Sequence, residues 1–424
     1  RQTFKKMKKR TFLKALGTAL ASPLLISSSS SSANEKDKIN YPDFNSDYWN
    51  QIREHYELKS DYINLESGYY NIIPKPTLFK HIEHIKRINI EGSYYMRNNR
   101  LNDKKSITNR LAEFVGCKSN NIAITRNTTE SLDLIIGGFP WDNGDEAVFA
   151  KQDYGAMKVM FEQVHKRHGV INKVVSVPNH PDSDEEIVSL YESQITSKTR
   201  LIMVCHMINI TGQILPIKKI CDMAHKYDVE VMVDGAHCIG HFDFNIEDLN
   251  CDYYGSSLHK WLATPLGAGL LYVDSKHTSK IWPLLADHNN DLNNIDRLNH
   301  IGTHPVHIDL AINDALDYIE WMGIKRKEER LRYIQNYWTD KLRDHPNVNI
   351  NTPKDKTRSC AIANIGLDNM SSKDLAEKLF KQFNVFTVAI NYANVNGCRI
   401  SPNVFTTTKE LDHFIGAIKS LSQV

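Results

Sequence analysis

The sequence predicts an α/β fold in which a mainly parallel, seven-stranded sheet lies between helices, joined to a smaller α+β domain. From about Asn121 onward, short apolar runs alternate with amphipathic segments, as they do where helices connect parallel strands. After Thr303 this alternation gives way to longer helical segments. The chain has 424 residues, of which 41% are hydrophobic, so it can bury two cores of this kind.

Seven strand-like runs account for the predicted sheet. They are Ile122–Thr125, Ala147–Ala150, Lys173–Val177, Leu201–Cys205, Val229–Val233, Asp252–Ser257 and Leu270–Val273. Between the fourth and fifth runs, Pro216 stands where a first helical turn tolerates proline, and Ile217, Ile220 and Ala224 follow at helical spacing. We therefore expect a crossover helix that delivers the chain to the next parallel strand.

The smaller domain is predicted from the change of pattern after Thr303. A helical stretch stops near Gly323, and a charged helix follows over Lys325–Asp344. Further on we expect a strand at Ala361–Ile365, a helix opening at Ser371 or Ser372, an apolar run over Val385–Ile390 and a last helix led by Thr407 or Thr408. The predicted division is 1–40 (leader and linker), 41–75 (a segment belonging to the small domain and the site entrance), 76–305 (large domain) and 306–424 (small domain).

The first residues have the shape of a signal peptide. Lys8, Lys9 and Arg10 precede Thr-Phe-Leu-Lys and a weakly apolar stretch that ends at Ile26, followed by the serine run 27–32. This resembles a twin-arginine export signal with lysine in place of the first arginine. We expect a periplasmic or otherwise exported protein; the alternative is a basic leader on a cytoplasmic enzyme. Elsewhere no stretch is apolar over the ~20 residues that span a bilayer.

Charge and cysteine content favour a small-molecule partner. A formal charge of +2, from 52 basic and 50 acidic residues, gives no reason to expect nucleic acid or an anionic membrane as partner. The seven cysteines lack paired spacing, so we expect free core thiols rather than a disulfide scaffold or a zinc site.

Two strand ends carry residues with complementary chemistry. Asp234 ends an apolar strand and is followed by Gly235 and Ala236, at the sheet edge where ligands bind in open α/β folds. Lys260 follows the next strand and adjoins Trp261, which could desolvate its amine. Taken singly, Asp234 could be a turn cap and Lys260 a surface charge. Together they suit pyridoxal 5'-phosphate, which needs a lysine amine for its aldehyde and an anion beside its ring nitrogen.

A third segment, Arg126–Ser131, joins the strand ending at Thr125 to an apolar helix. Hydroxyl side chains such as Thr128 and Thr129 at a helix start lie beside unpaired backbone N–H groups, which bind phosphate well. Ordinary helix capping is the simpler alternative. In company with Asp234 and Lys260, phosphate binding becomes the better interpretation.

These three motifs, in this order, resemble the class V aminotransferase family. The resemblance rests on Val233–His237, Ser257–Lys260 and Asn127–Ser131, and extends from about Leu65 to Leu421. Two further segments are similar to the isopenicillin N epimerase-like branch of that family: Tyr62–Tyr70, which contains Gly68, and Asp153–Ala156.

The resemblance implies a fold-type I pyridoxal-phosphate enzyme. It implies that Lys260 holds the cofactor as a Schiff base, that Asp234 faces the pyridine nitrogen, and that the substrate reacts through a quinonoid. Further implied roles are phosphate contacts from Thr128, Thr129, Ser257 and His259, ring stacking by Tyr154, contacts near the phenolic oxygen from Asn209 and His237, and substrate contacts from Tyr69 and from Arg399, which would bind the α-carboxylate. Thr303 would reach the phosphate of a neighbouring subunit, which implies a homodimer.

The reaction itself stays open between aminotransferase and epimerase chemistry. Epimerisation needs a second acid, for which Tyr69, Tyr70, Tyr95 and His304 are candidates. A C–S lyase or desulfurase-like enzyme is the alternative. We disfavour persulfide formation, because Phe386–Gly397, the segment before Arg399, contains no cysteine and Cys398 adjoins the arginine itself.

Two other function classes compete with this interpretation. Asp234, His237 and His241 have a spacing that could surround zinc in a metal-dependent hydrolase, although 18 histidines make chance spacings common. That hypothesis leaves the Lys260 motif unexplained. A non-catalytic binding protein on a decayed enzyme fold is disfavoured by the intact set of Asp234, His259, Lys260 and Arg399.

Overall fold

The computed structural model describes residues 47–288 and 291–423. The predicted export signal and the serine-rich linker lie outside the described residues. Within the described residues, no helix is long and apolar enough to cross a membrane. All seven cysteines are described and free, six of them buried and Cys117 partly so, which confirms that the sequence carries no disulfide scaffold.

Helices and one short strand precede the central sheet in the chain. In chain order the elements are α1 (Asp47–Glu54), β1 (Ile63–Asn64), α2 (Lys75–Glu91), α3 (Ser93–Asn98) and α4 (Arg100–Val115). The short strand β1 is the first element to pair with the far end of the chain, because its partner strand, described below, begins at Val385.

The central sheet has seven strands, as the sequence predicts. They are β2 (Ile122–Thr125), β3 (Glu146–Ala150), β4 (Ile171–Val175), β5 (Thr199–Cys205), β6 (Glu230–Asp234), β7 (Tyr253–Ser257) and β8 (Gly269–Val273). Their spatial order is β2-β8-β7-β6-β5-β3-β4. Only β8 runs antiparallel to its two neighbours, so the mainly parallel sheet is confirmed.

Helices pack on both faces of the sheet. They are α5 (Thr128–Gly138), α6 (Gly155–His168), α7 (Asp184–Glu192), α8 (Ile217–Ala224) and α9 (Ser275–Thr278). The predicted crossover helix is α8, which begins directly after Pro216. α5 approaches β7 closely at Gly255, where an added Cβ would lie 2.7 Å from Leu132 Cδ2. Glycine at this point brings the start of α5 against the end of β7.

The remaining elements form a second core with the N-terminal segment. They are α10 (His307–Met322), α11 (Ile324–Leu342), β9 (Val348–Ile350), β10 (Ala363–Leu367), α12 (Ser372–Phe383), β11 (Val385–Phe386), β12 (Val388–Tyr392), β13 (Val395–Ile400) and α13 (Thr408–Leu421). Trp49 and Leu65 pack in one cluster with Trp338 and Phe414. The exception is α10, which packs mainly on α2 and α4. The predicted domain limits stay a prediction.

The prediction was incomplete near the C-terminus. The apolar run Val385–Ile390 forms two strands, and the next strand, β13, was not predicted although it carries Arg399. Polar residues and Gly397 interrupt the apolar alternation of β13. The β12–β13 turn has positive φ at Ala393 and Asn394, the geometry of a tight hairpin, but it lacks the usual Asn-Gly signature.

We predict that Asp252→Asn lowers the free energy of unfolding by about 2 kcal/mol at pH 7. Asp252 is buried just before β7 and accepts hydrogen bonds from His277 Nε2 at 2.7 Å, His225 Nε2 at 2.8 Å and Val231 N at 2.8 Å. Burial alone would raise the pKa of this carboxyl, but these hydrogen bonds and Lys276 hold it well below its usual range.

The difference in free energy of unfolding between wild type and Asp252→Asn should depend on pH. A carboxyl with a depressed folded-state pKa stabilises the fold above its unfolded-state pKa of about 4, and that contribution is lost as the pH falls further. Denaturant unfolding should therefore show a full difference between wild type and variant at pH 7 and a shrinking difference below about pH 4. A difference in free energy of unfolding that is equal at every pH would contradict this prediction.

Candidate active site

The Lys260 amine lies at the carboxyl edge of the sheet, in the turn that follows β7. Its Nζ is 3.1 Å from His237 Nε2. Burial lowers the pKa of Lys260 to about 8, with a further lowering from Arg399, while Asp234 opposes the shift. Roughly a tenth of this amine is therefore uncharged at pH 7, far more than for an ordinary lysine, and this fraction can react with a carbonyl carbon or accept a proton.

His237 is held in one tautomer beside that amine. The Trp261 indole Nε1 donates to His237 Nδ1 at 3.3 Å, so Nδ1 is the acceptor and the ring proton resides on Nε2. Burial, reinforced by Lys260, lowers the pKa of His237 well below its usual value, so the ring stays neutral. A neutral Nε2–H can donate to the lone pair of an uncharged lysine, and it cannot accept from an ammonium group.

Asp234 is the last residue of β6 and is buried. Its Oδ1 accepts from the Ala236 backbone N at 3.0 Å. Burial raises the pKa of this carboxyl, and the Ala236 N–H and Lys260 oppose the shift. Such a carboxylate has a strong tendency to pair with a cationic N–H, such as that of a protonated ring nitrogen.

A second buried carboxylate, Asp153, lies close enough to interact with Asp234. Burial raises the pKa of Asp153 to about 7, and the charge of Asp234 adds to the effect. Its Oδ2 accepts from the Ala150 backbone N at 2.7 Å. Sequence reasoning quoted Asp153 only as part of a turn, and its burial beside Asp234 could not be seen from that motif.

The start of α5 and the end of β7 meet as the phosphate hypothesis expects. The Thr128 backbone N–H donates to Ser257 Oγ at 2.9 Å, and the two hydroxyl oxygens lie 2.7 Å apart. Asn127 caps the helix by accepting from Glu130 N at 2.9 Å. Thr129 is half-buried in the same first turn. Hydroxyl groups, backbone N–H groups and the positive end of an eleven-residue helix are thus gathered at one place.

Arg399 does not stand alone, because a buried carboxylate that sequence reasoning missed is already paired with it. Glu66 accepts from Arg399 Nη2 at 2.6 Å and from Nε at 3.1 Å. Arg399 Nη1 also donates to the main-chain oxygen of Asn209 at 3.3 Å. Glu66 lies inside the segment Tyr62–Tyr70, two residues after β1, and its being the one charged residue of that segment was the available signal.

The segment 66–71 connects this ion pair to the lysine turn. At Gly68 an added Cβ would lie 2.9 Å from Arg399 Cζ, so glycine lets the guanidinium approach the backbone. At the other end, the Asn71 side chain donates to the main-chain oxygen of Lys260 and accepts from Asn403. The segment is thus fixed at both ends across the site, with Tyr69 exposed and Tyr70 half-buried between them.

The other predicted site residues lie in different settings. His259 is part of the lysine turn, and burial lowers its pKa to about 4. Tyr154 immediately precedes α6 and is about half exposed. Thr303 is exposed in the loop before α10. The roles assigned to these residues stay predictions.

Two candidates for a second acid are engaged elsewhere. Tyr95 is buried and its hydroxyl donates to Asp103 at 3.0 Å. His304 Nε2 lies 2.9 Å from Asp309 Oδ2, and this hydrogen bond raises the pKa of His304. Of the four candidates, Tyr69 and Tyr70 are the ones on the segment that crosses the site.

The metal hypothesis finds no support among the described residues, where no three histidine, cysteine or acidic side chains are arranged to hold a metal ion. His241 stacks on Trp261 with ring centroids 3.7 Å apart, and its Nδ1 lies 2.8 Å from the main-chain oxygen of His237. This histidine supports the indole that orients His237.

The arrangement fits pyridoxal 5'-phosphate. Lys260 offers a desolvated amine for an aldehyde, Asp234 a buried carboxylate for a ring nitrogen, and the Thr128 and Ser257 hydroxyls a place for phosphate. A second buried lysine, Lys327, donates to the main-chain oxygen of Trp261. Burial lowers its pKa to about 7, but it lies behind the lysine turn and has a backbone partner.

Comparison with known proteins agrees with this geometry. Residues 88–414 match the family model for class-V aminotransferases. The isopenicillin N epimerase of Amycolatopsis lactamdurans is 25% identical over 88% of this chain and 99% of that protein. A cysteine desulfurase of Haloferax volcanii is 25% identical over 64% of this chain and 66% of its own.

Solved structures share the fold. The cysteine desulfurase of Thermococcus onnurineus NA1, in its apo form, has a TM-score of 0.77 at 20% identity, covering 92% of this chain and all of that one. A cystine C-S lyase solved with its product cysteine persulfide also has a TM-score of 0.77 at 20% identity, covering 85% of this chain and 98% of that one.

We predict that Trp261→Phe raises the pKa of Lys260. Without the indole N–H, His237 can place its proton on Nδ1 and use Nε2 to accept from a charged lysine, which stabilises the ammonium form. Acylation of Lys260 in cofactor-free enzyme, read by peptide mass mapping across pH, should have its midpoint near 8 in wild type and at higher pH in the variant.

Trp141→Phe is the matched control for this experiment. Trp141 is also buried, but its indole donates to the main-chain oxygen of Ile136, and its midpoint should equal that of wild type. A midpoint that does not move in Trp261→Phe would show that the indole does not set the tautomer.

Proposed function

Because this chain belongs to the class V aminotransferase family and takes pyridoxal 5'-phosphate as its cofactor, we propose that it acts on the α-amino group or α-carbon of an amino acid or small peptide-like amine. The proposed chemistry is of the aminotransferase or epimerase type. The observation that carries it is the Lys260 amine, half-buried, 3.1 Å from a neutral His237 and within the field of Asp234.

The bound cofactor supplies an electron sink for the electrons left on a substrate carbon after a proton departs. The residues of this chain provide the rest. Lys260 would hold the cofactor, and its free amine would accept the proton from the substrate α-carbon. Asp234 would keep a proton on the ring nitrogen, and Thr128 and Ser257 would hold the phosphate.

His237 has a separate task in this proposal. Its neutral Nε2–H is a hydrogen-bond donor that stays fixed when the lysine changes protonation, since Trp261 occupies the other ring nitrogen. A fixed donor beside the reacting amine suits an oxygen atom that gains negative charge during the reaction.

Sulfur transfer through a persulfide is the weaker alternative. Cys398 is buried in β13, where its thiol donates to the main-chain oxygen of Ser372 at 3.5 Å. Burial raises the pKa of this thiol to about 12, so little thiolate is present at neutral pH. A lyase that eliminates sulfur without an enzyme thiol is compatible with the same site, and an isopenicillin N epimerase and a cysteine desulfurase are both similar to this chain.

We predict that Lys260→Ala abolishes exchange of the substrate α-proton with solvent. Holoenzyme incubated in deuterated water with a panel of L- and D-amino acids should label the α-carbon of its substrates, and the variant should lose at least about 10³-fold of this rate, because general-base catalysis is removed together with the covalent anchor. Lys325→Ala, a change of a surface lysine with 81% side-chain exposure, is the control and should exchange like wild type.

The same incubation separates the reaction types. Racemised product without added keto acid indicates an epimerase, conversion of an added keto acid indicates an aminotransferase, and release of pyruvate or sulfide indicates a lyase. No exchange with any amino acid, in enzyme that retains bound cofactor, would contradict the proposed function.

We further propose that the enzyme is a homodimer. Helix α2 exposes Phe79, Ile82 and Ile85 at a spacing that places them on one face, and the loop after α9 exposes Trp282. An exposed apolar helix face is typical of a protein interface. Thr303 is exposed as well, as its assigned contact to a neighbouring subunit requires.

We predict a mass of about twice the chain mass of 48.6 kDa in solution. Light scattering on the holoenzyme at micromolar concentration measures this directly, and Trp282→Glu should shift the equilibrium towards single chains. A single-chain mass for the wild-type protein would overturn the dimer and with it the role of Thr303.

A further inference from the structure

The Glu66–Arg399 pair is an internal salt bridge at the place where a free substrate carboxylate would bind. Both side chains are almost completely buried, with 4% and 7% exposure. Glu66 also accepts from Tyr69 N at 2.8 Å and from Ser401 Oγ at 3.3 Å. Four hydrogen-bond donors to one carboxylate fix Glu66 in place, so a substrate does not displace it from Arg399.

The pair lies close to the reacting amine. The charges of Arg399 and Glu66 both act on Lys260, the arginine lowering its pKa and the glutamate raising it. The segment 66–71 runs from Glu66 to Asn71, whose side chain bonds the Lys260 main chain. A substrate amine that reaches Lys260 therefore has its neighbouring groups near Arg399.

Glu66 takes one of the two donor edges of the guanidinium. It occupies Nε and one hydrogen of Nη2, which leaves hydrogens on Nη1 and Nη2 for another acceptor. The Asn209 oxygen, a further acceptor, stands 3.3 Å from Nη1. A substrate thus meets the remaining hydrogens on Arg399 Nη1 and Nη2, which lie between two acceptors, Glu66 and the Asn209 oxygen. The Glu66–Arg399 pair carries no net charge.

From this we infer that the site selects amines whose neighbouring carbonyl is neutral, as in an α-amino amide or the N-terminal residue of a peptide. A carboxylate gains little from a neutralised arginine and is repelled by Glu66 and by the Asn209 oxygen. An amide matches the pattern, because its carbonyl accepts from Arg399 and its N–H donates to the main-chain oxygen of Asn209, which still has an acceptor site. The inference rests on the proposed function and names its substrate class.

The test compares paired probes on the holoenzyme. L-alanine with L-alaninamide and L-phenylalanine with L-phenylalaninamide, together with the D-forms, are compared by cofactor absorbance change and by α-proton exchange, with concentrations expressed as free amine. We expect the wild-type enzyme to use the amide with a higher kcat/KM than the acid. A higher kcat/KM for the acid overturns the inference.

The Glu66→Gln variant removes the negative charge of Glu66 and keeps the shape of its side chain. Removing the carboxylate leaves Arg399 with its full charge, so the ratio of acid to amide in kcat/KM should rise at least about tenfold over wild type. Any structural change around Arg399 affects kcat/KM for the acid and for the amide alike, so it leaves the ratio of the two unchanged. Glu66→Asp keeps the charge and should keep a ratio near that of wild type, as should Glu377→Gln, a change on the exposed surface of α12.

The outcomes separate the two proposals. An unchanged ratio in Glu66→Gln overturns the inference and leaves the proposed function intact. If neither acid nor amide perturbs the cofactor or exchanges its α-proton, the proposed function fails, and the inference fails with it. The wild-type comparison needs no variant, so it decides the matter even if Glu66→Gln does not fold.

Discussion

The structure depends on burying one lysine amine, Lys260, so that its pKa falls to about 8. Desolvation alone destabilises the ammonium form of Lys260, and a carboxylate at hydrogen-bond distance would restore it. Here the nearest polar partner is a neutral imidazole whose proton position is set by the Trp261 indole. His241 stacks on that indole, and Lys327 bonds the main chain of the same residue. Packing from the loop after β6 and from α11 thus supports the reactivity of one nitrogen.

The sheet gathers the other groups around this amine. Parallel strands end at a common edge, where β6 delivers Asp234 and β7 delivers Ser257, two residues beyond the register partner of Asp234, Gly255. Glycine at position 255 allows α5 to pack closely, so the helix start supplies Thr128 to the Ser257 hydroxyl. The fold therefore positions an amine, a carboxylate and a helix start suited to phosphate from three local sequence motifs.

The part of the site predicted from sequence is the part encoded locally. Lys260, Asp234 and Thr128 each follow or precede a patterned element, and apolar periodicity locates such elements well. The Glu66–Arg399 pair joins residues 333 positions apart. It forms because β1 pairs with β11 and because Glu66 lies beside Ser401 in a further bridge, neither of which leaves a local signature. Polar β13 was missed for a similar reason, since its strand conformation comes from its partners β10 and β12.

The central claim is that Lys260, and no other lysine, holds the cofactor. Lys327 is the lysine to compare with Lys260, because burial lowers its pKa to about 7, below that of Lys260, so its amine is also reactive. Reduction of the holoenzyme with borohydride, followed by proteolysis and mass spectrometry, measures the attachment point. The account predicts a pyridoxyl-phosphate adduct on the peptide that contains Lys260 and none on the peptide that contains Lys327. An adduct on Lys327, or no adduct on any lysine of a holoenzyme that contains the cofactor, would contradict it.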